Sequence, residues 1–124
     1  MAHERKLVAL LFMVFLLVPD HGWGHAYLVK SSPALQEVLI RPPTEVQLWF
    51  NERLEPAYSH VSVLDAEGHC VDLADEHLDR NDSKKLVIGV RPLAPGSYKV
   101  KYRVLSVDGH IVENQFTFTV RGQR

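Results

Sequence analysis

Hydrophobic and polar residues alternate with a period of two in three long runs. Val46, Leu48 and Phe50 alternate with Gln47 and Trp49, and Tyr98, Val100, Tyr102 and Val104 alternate with Lys99, Lys101 and Arg103. Phe116, Phe118 and Val120 alternate with Gln115, Thr117 and Thr119. This period places every second side chain on one face and predicts strands with one buried side. Val61 and Val63, then Leu86, Ile88 and Val90, predict two shorter strands, and Tyr27 to Lys30 predicts one near the start. Turn chemistry separates the runs at Pro42-Pro43, Glu67-Gly68, Pro92, Pro95-Gly96 and Asp108-Gly109. Asp108-Gly109 lies between two strongly alternating runs and predicts a hairpin. No long helical period follows residue 24. The pattern predicts an all-β fold of about six or seven short strands, a small antiparallel sandwich or Greek-key barrel.

Two stretches break the pattern. Leu7 to Val18 is an unbroken run of 12 apolar residues behind Arg5 and Lys6, closed by Pro19, with Gly22 and Gly24 ahead of His25. This order reads as a secretory signal peptide over residues 1–24, because the run is shorter than the ~20 residues a membrane span needs. The mature domain expected from that cut is residues 25–124, enough for one modest core. The second stretch, residues 65–83, holds seven acidic residues with His69 and His77. It reads as a long solvated polar loop with one short strand or helical turn.

Composition narrows the function. The whole chain carries 14 Lys+Arg against 15 Asp+Glu, a net charge of −1, which argues against a nucleic-acid binder. The cationic Lys99, Lys101 and Arg103 read as the solvent face of one strand, not as a nucleic-acid platform. A single Cys, Cys70, allows no internal disulfide and excludes a Cys-rich zinc site. It reads as a buried small hydrophobe. Export implies an oxidising space, so the fold must stand without a disulfide. No nucleophile elbow, phosphate-cradling loop or dinucleotide fingerprint is present.

The residues that can carry chemistry point to a metal. Cleavage before His25 would make it the terminal residue, offering its α-amine and imidazole Nδ1 to one ion. Nitrogen donors in a square-planar arrangement suit Cu(II). The amine loses its proton at small cost near neutrality, its ordinary pKa being about 7.7–8.0. Taken alone, a terminal His is also what any cut can leave. Asp108 and His110 flank Gly109 at the expected hairpin tip. In an extended segment their side chains share a face and can converge on a metal, although Asp-Gly is equally a plain turn pair. Glu52 follows the run Val46 to Phe50 and can serve as a further ligand, as an acceptor that orients an imidazole, or as a solvent-exposed strand end.

Together these segments resemble the CopC family of secreted copper-binding proteins over nearly all of residues 25–120. The resemblance is carried by His25-Ala26-Tyr27-Leu28 and Ser31-Ser32-Pro33 at the start, and by Val46-Gln47-Leu48-Trp49-Phe50-Asn51-Glu52. It continues through Pro95-Gly96-Ser97-Tyr98-Lys99-Val100, Ser106-Val107-Asp108-Gly109-His110 and Phe116-Thr117-Phe118-Thr119-Val120. It implies a seven-stranded Greek-key β-barrel or sandwich of cupredoxin-like or immunoglobulin-like appearance. It implies a Cu(II) site in which His25 supplies amine and imidazole, His110 a second imidazole and Asp108 an oxygen. Glu52 stands where the family carries a Glu that approaches the metal in some members. The chain departs from the pattern in two places. Its two methionines, Met1 and Met13, fall in the expected signal peptide, so the Met-based Cu(I) site of some members is not expected. The family's Pro-Ala-Asp-Gly turn is here Pro33-Ala34-Leu35-Gln36, which lacks the Gly.

The function expected on this resemblance is a periplasmic or otherwise extracytoplasmic monomer that binds copper. It would hold Cu(II) for resistance or pass it to a CopD-like membrane copper transporter. Two other classes compete: a copper monooxygenase built on an N-terminal His, and a metal-free interaction module on an immunoglobulin-like scaffold.

Overall fold

A computed structural model describes residues 27–122. The expected signal peptide and His25 lie outside the described residues. The described chain forms β1 (Leu28–Ser32), β2 (Val38–Leu39), β3 (Glu45–Phe50), β4 (His60–Leu64), β5 (His77–Asp79), β6 (Asp82–Gly89), β7 (Gly96–Leu105) and β8 (Ile111–Val120). One 3-10 turn, Pro56–Tyr58, precedes β4. The strands make two four-stranded sheets, ordered β1-β3-β6-β5 and β2-β8-β7-β4. They pack as a sandwich and do not close into a barrel.

The alternating runs place their apolar sides inward as the pattern requires. Val46, Leu48, Val63, Ile88, Val100, Val104 and Phe118 are fully buried, while Lys99, Lys101 and Arg103 face solvent. Two ring pairs reinforce the interior. Phe50 of one sheet meets Tyr102 of the other edge-on, with centroids 5.5 Å apart, and Tyr98 stacks on Phe118 at 5.4 Å. On the outer face of the first sheet, Trp49 lies between Lys30 and Lys85, whose ammonium groups sit 4.6 and 4.8 Å from its ring. Such cation–π contacts contribute about 0.5–1 kcal/mol each when exposed.

The seven strands expected become eight among the described residues. The addition, β2, is only two residues long, too short to leave a periodic signature. It runs parallel to β8, pairing Val38 with Thr119 and Leu39 with Val120, so the sheet is not purely antiparallel. The turn before β2 forms without its Gly. Glu37 N–H donates to Ala34 C=O at 3.1 Å, Ala34 N–H donates to the Glu37 carboxylate at 2.8 Å, and Gln36 adopts φ +61° where Gly would be unstrained.

The acidic stretch is more ordered than a solvated loop. It holds β5 and the isolated bridges Leu64–Cys70 and Asp72–Val90. Six of its carboxylates accept backbone N–H groups. Asp65, Asp72, Asp79 and Asp82 each accept from the residue two positions on, Asp75 from Gly89, and Glu76 from Val61. Asp72 is buried and accepts three donors: Val63 N–H at 2.8 Å, Ala74 N–H at 3.0 Å and the Cys70 thiol at 2.9 Å. Acidic composition therefore reports backbone satisfaction as well as solubility. Cys70 is exposed, contrary to the buried hydrophobe expected, because its sulfur turns to Asp72 at the loop edge and not into the core.

Two stability predictions follow from these local bonds. Asp72→Ala strands the buried Val63 N–H and frees the loop, so it should cost about 2–3 kcal/mol in urea unfolding, with Asp72→Asn milder because an acceptor remains. Gln36→Gly should leave stability unchanged or raise it by up to about 1 kcal/mol, since only Gly reaches this φ without strain. A drop in midpoint for Gln36→Gly would show that the Gln side chain contributes more than its backbone costs.

Candidate metal centre

The segment Asn51–Glu55 leaves β3 in the first sheet and fastens to Tyr27 on one side and to the β7–β8 loop on the other. Tyr27 N–H donates to the Asn51 side chain at 2.6 Å, and Asn51 N–H donates back to Tyr27 C=O at 3.2 Å. Leu54, only 2% exposed, forms an antiparallel bridge with Ser106. Val107 N–H donates to Arg53 C=O at 2.9 Å, and Glu55 N–H donates to Leu105 C=O at 2.8 Å. The start of the described chain and the β7–β8 loop are thus bonded to one short stretch at one end of the sandwich.

The β7–β8 connection is a five-residue loop, since Leu105 pairs with Ile111. Ser106 N–H donates to His110 C=O and Gly109 N–H to Ser106 C=O, both at 2.9 Å. Gly109 takes φ +93°, which a residue with a Cβ adopts only under strain. Asp108 and His110 meet through this turn and not through a strand face, as an extended segment would have required. Asp108 Oδ1 lies 3.2 Å from His110 Nδ1. The same carboxylate accepts the hydroxyl proton of Ser106. That hydroxyl, and then the imidazole, hold the Asp108 carboxyl below its ordinary range. Asp108 is exposed and His110 half-exposed, so a ligand has access to the pair. A carboxylate oxygen beside an imidazole nitrogen is a donor set that suits a divalent transition metal.

Glu52 is half-buried within the fastening segment. Among the described residues no group of three or more His, Cys, Asp or Glu side chains is gathered to hold a metal, so Glu52 does not join Asp108 and His110 in such a group. The other described histidines have other neighbours. His60 lies 3.8 Å from Glu76, His69 lies 3.6 Å from Asp65, and His77 Nδ1 lies 2.8 Å from Asp75 C=O. His69 and Cys70, adjacent in sequence, turn to different carboxylates. Ser106 entered the sequence reading only within the Ser106–His110 segment that carries the resemblance, with no role of its own; the structure gives its hydroxyl the Asp108 carboxylate as a partner.

Comparison with known proteins identifies the family and agrees with the fold. The family model for the CopC domain matches residues 28–121. The copper transport protein CutJ of Bacillus subtilis is 30% identical over 115 residues, which are 92% of this chain but only 21% of CutJ. The crystal structure of CopC from Methylosinus trichosporium OB3b superposes with a TM-score of 0.75 at 40% identity, covering 81% of this chain and 97% of that one. PcoC from Escherichia coli, described as a methionine-rich copper resistance protein, superposes with a TM-score of 0.69 at 30% identity, covering 78% and 99%. The match runs from the first strand to the last and includes both the fastening segment and the Asp108–His110 loop: this chain belongs to the CopC family.

Proposed function

We propose that this protein is an exported, extracytoplasmic copper carrier that holds Cu(II) at its processed N-terminus. The observation that carries the reading is the double attachment of Asn51–Glu55, to Tyr27 on one side and to the Asp108–His110 loop on the other. His25 precedes Tyr27 by two residues, a span of at most about 7 Å. In the proposed site His25 supplies its amine and Nδ1 as a chelate, His110 a second imidazole and Asp108 an oxygen. Glu52, next to Asn51, is a further ligand or an acceptor for an imidazole. Such a site exists only after the leader is removed, which keeps it from filling before export.

The donor set favours Cu(II) over Cu(I). Both methionines precede residue 25, so residues 25–124 offer no thioether to the softer ion. PcoC, named as methionine-rich, contrasts with this chain there. Exposure of the Asp108–His110 pair suits a carrier, because transfer needs a partner to reach the metal. CutJ, named a copper transport protein, contains the matched region as about one fifth of its length. In this reading the copper passes to a membrane transporter of the CopD type. The function is binding and transfer, not catalysis, in keeping with relatives named for copper resistance and transport.

A Cu(II) titration followed by electron paramagnetic resonance tests this on protein beginning at His25. One equivalent should bind with nitrogen hyperfine structure. One extra residue ahead of His25 should weaken binding by at least about tenfold, or 1.4 kcal/mol, and His110→Ala should do likewise. Equal affinity with and without the extra residue removes the terminal amine from the site. Absence of tight binding in all three proteins rejects the copper reading.

A further inference from the structure

Among the described residues the sandwich has four edge strands, β1 and β5 in the first sheet and β2 and β4 in the second. Three of them are protected. β2 and β5 are two and three residues long, and very short edges recruit partners poorly. β4 is longer, but residues 71–76 cover its free side. Val63 N–H donates to the Asp72 carboxylate at 2.8 Å, Val61 N–H donates to Glu76 at 3.4 Å, and Val71 N–H donates to Val63 C=O at 2.8 Å. β1 is five residues long and has no strand on its far side. It borders a groove of about 370 Å³, lined by Tyr27, Val29 and Lys30 on the β1 side, Val112 and Asn114 of β8, and Leu35 of the turn before β2. Tyr27, Val29 and Leu35 are 60, 60 and 59% exposed, an apolar cluster of the kind that marks contact surfaces. The register shifts between Leu28 and Lys30, and two consecutive residues, Val29 and Lys30, face solvent. Bulges re-aim side chains in this way.

We infer that this groove, with the free edge of β1, is the docking site for an extended segment of the protein that receives the copper, a segment with apolar side chains at alternate positions and a carboxylate for Lys30. The inference rests on the copper reading above for what the contact serves. The groove is continuous with the candidate metal centre: Tyr27 is bonded to Asn51, and Val112 follows His110 by two residues. A partner held here has its chain beside the Asp108–His110 loop. Lys30 is the one charged residue lining the groove, and among the described residues its ammonium meets the Trp49 ring and no carboxylate, so charge there calls for an acid. Alternate side chains of an extended segment point to one side, which suits an apolar groove beside an edge that can share backbone bonds. A second copy of this chain fits less well. A bulge and a lysine are devices that keep like edges apart, and pairing two five-residue edges falls well short of the about 1,200 Å² that a stable complex buries.

The test uses a synthetic peptide, acetyl-Thr-Val-Glu-Val-Thr-Val-Thr-amide, added to metal-free, nitrogen-15-labelled protein beginning at His25. Saturable amide shifts should fall on residues 28–32, on Leu35 and on residues 112–114. Serine in place of the three peptide valines should abolish them, and lysine in place of the peptide glutamate should weaken binding. Val29→Asp in the protein should weaken binding by at least about tenfold and leave the uptake of one equivalent of Cu(II) unchanged. Leu35→Ser, which lies off the strand, should act in the same direction. Absence of shifts, shifts on other faces, or unaltered binding by both variants overturns the inference. Concentration-dependent shifts of the groove residues without peptide would place a second copy there and overturn it too. A wild type that takes up no Cu(II) rejects the proposed function, while the peptide shifts still decide the groove.

Discussion

The candidate site depends on one constraint: two parts of the chain that belong to different sheets must be held at the same end of the sandwich. Tyr27 leads into β1 in the first sheet, and the Asp108–His110 loop joins β7 to β8 in the second. Among the described residues no named strand pairs with a strand of the other sheet. The backbone of Asn51–Glu55 connects the two, with Asn51 bonded to Tyr27 and Arg53, Leu54 and Glu55 bonded to the 105–107 stretch. Beneath this crossing, the edge-on contact of Phe50 with Tyr102 holds the sheets together. Burial of Leu54 prevents the crossing from peeling away, since exposing a Leu side chain costs about 1.5–3 kcal/mol.

Much of this was legible in the chain. The burial of β3, β7 and β8 follows directly from alternation in Val46–Phe50, Tyr98–Val104 and Phe116–Val120, because each strand has one face in the core. Asp108-Gly109 marked the hairpin, and Gly109 does take the positive φ for which Gly is suited. Elements defined by partners and not by periodicity were not legible. β2 is a strand only because β8 offers it a parallel neighbour. Gln36 gives no sign of a left-handed turn, since the surrounding bonds impose it. The order of the acidic stretch was hidden because solvated and backbone-bonded carboxylates have the same sequence. The bond of the Ser106 hydroxyl to Asp108 was not legible for a similar reason: a Ser in this segment looks the same whether its hydroxyl meets a side chain or water.

The carboxylates divide into two populations. In residues 65–83 most are engaged with backbone amides, and His60 and His69 lie beside members of that population. A carboxylate committed to a buried N–H, like Asp72, coordinates a metal only by giving up that bond, at a cost of about 1–3 kcal/mol. Asp108 is different. Its described partners are the side chains of Ser106 and His110 at an exposed loop. Charge of one sign is thus used in one region to close the fold and in the other to prepare the proposed site.

The bond between Cys70 and Asp72 has a consequence for redox behaviour. The carboxylate accepts the thiol proton, and this bond is the largest cause of a thiol pKa raised above its ordinary value. Thiolate, not thiol, attacks disulfides and transfers electrons to oxidising metals. In an oxidising compartment an exposed lone cysteine would otherwise invite crosslinking between chains. Here the carboxylate that anchors the acidic stretch also keeps the sulfur protonated, so one buried acid both fastens a loop and quiets the thiol.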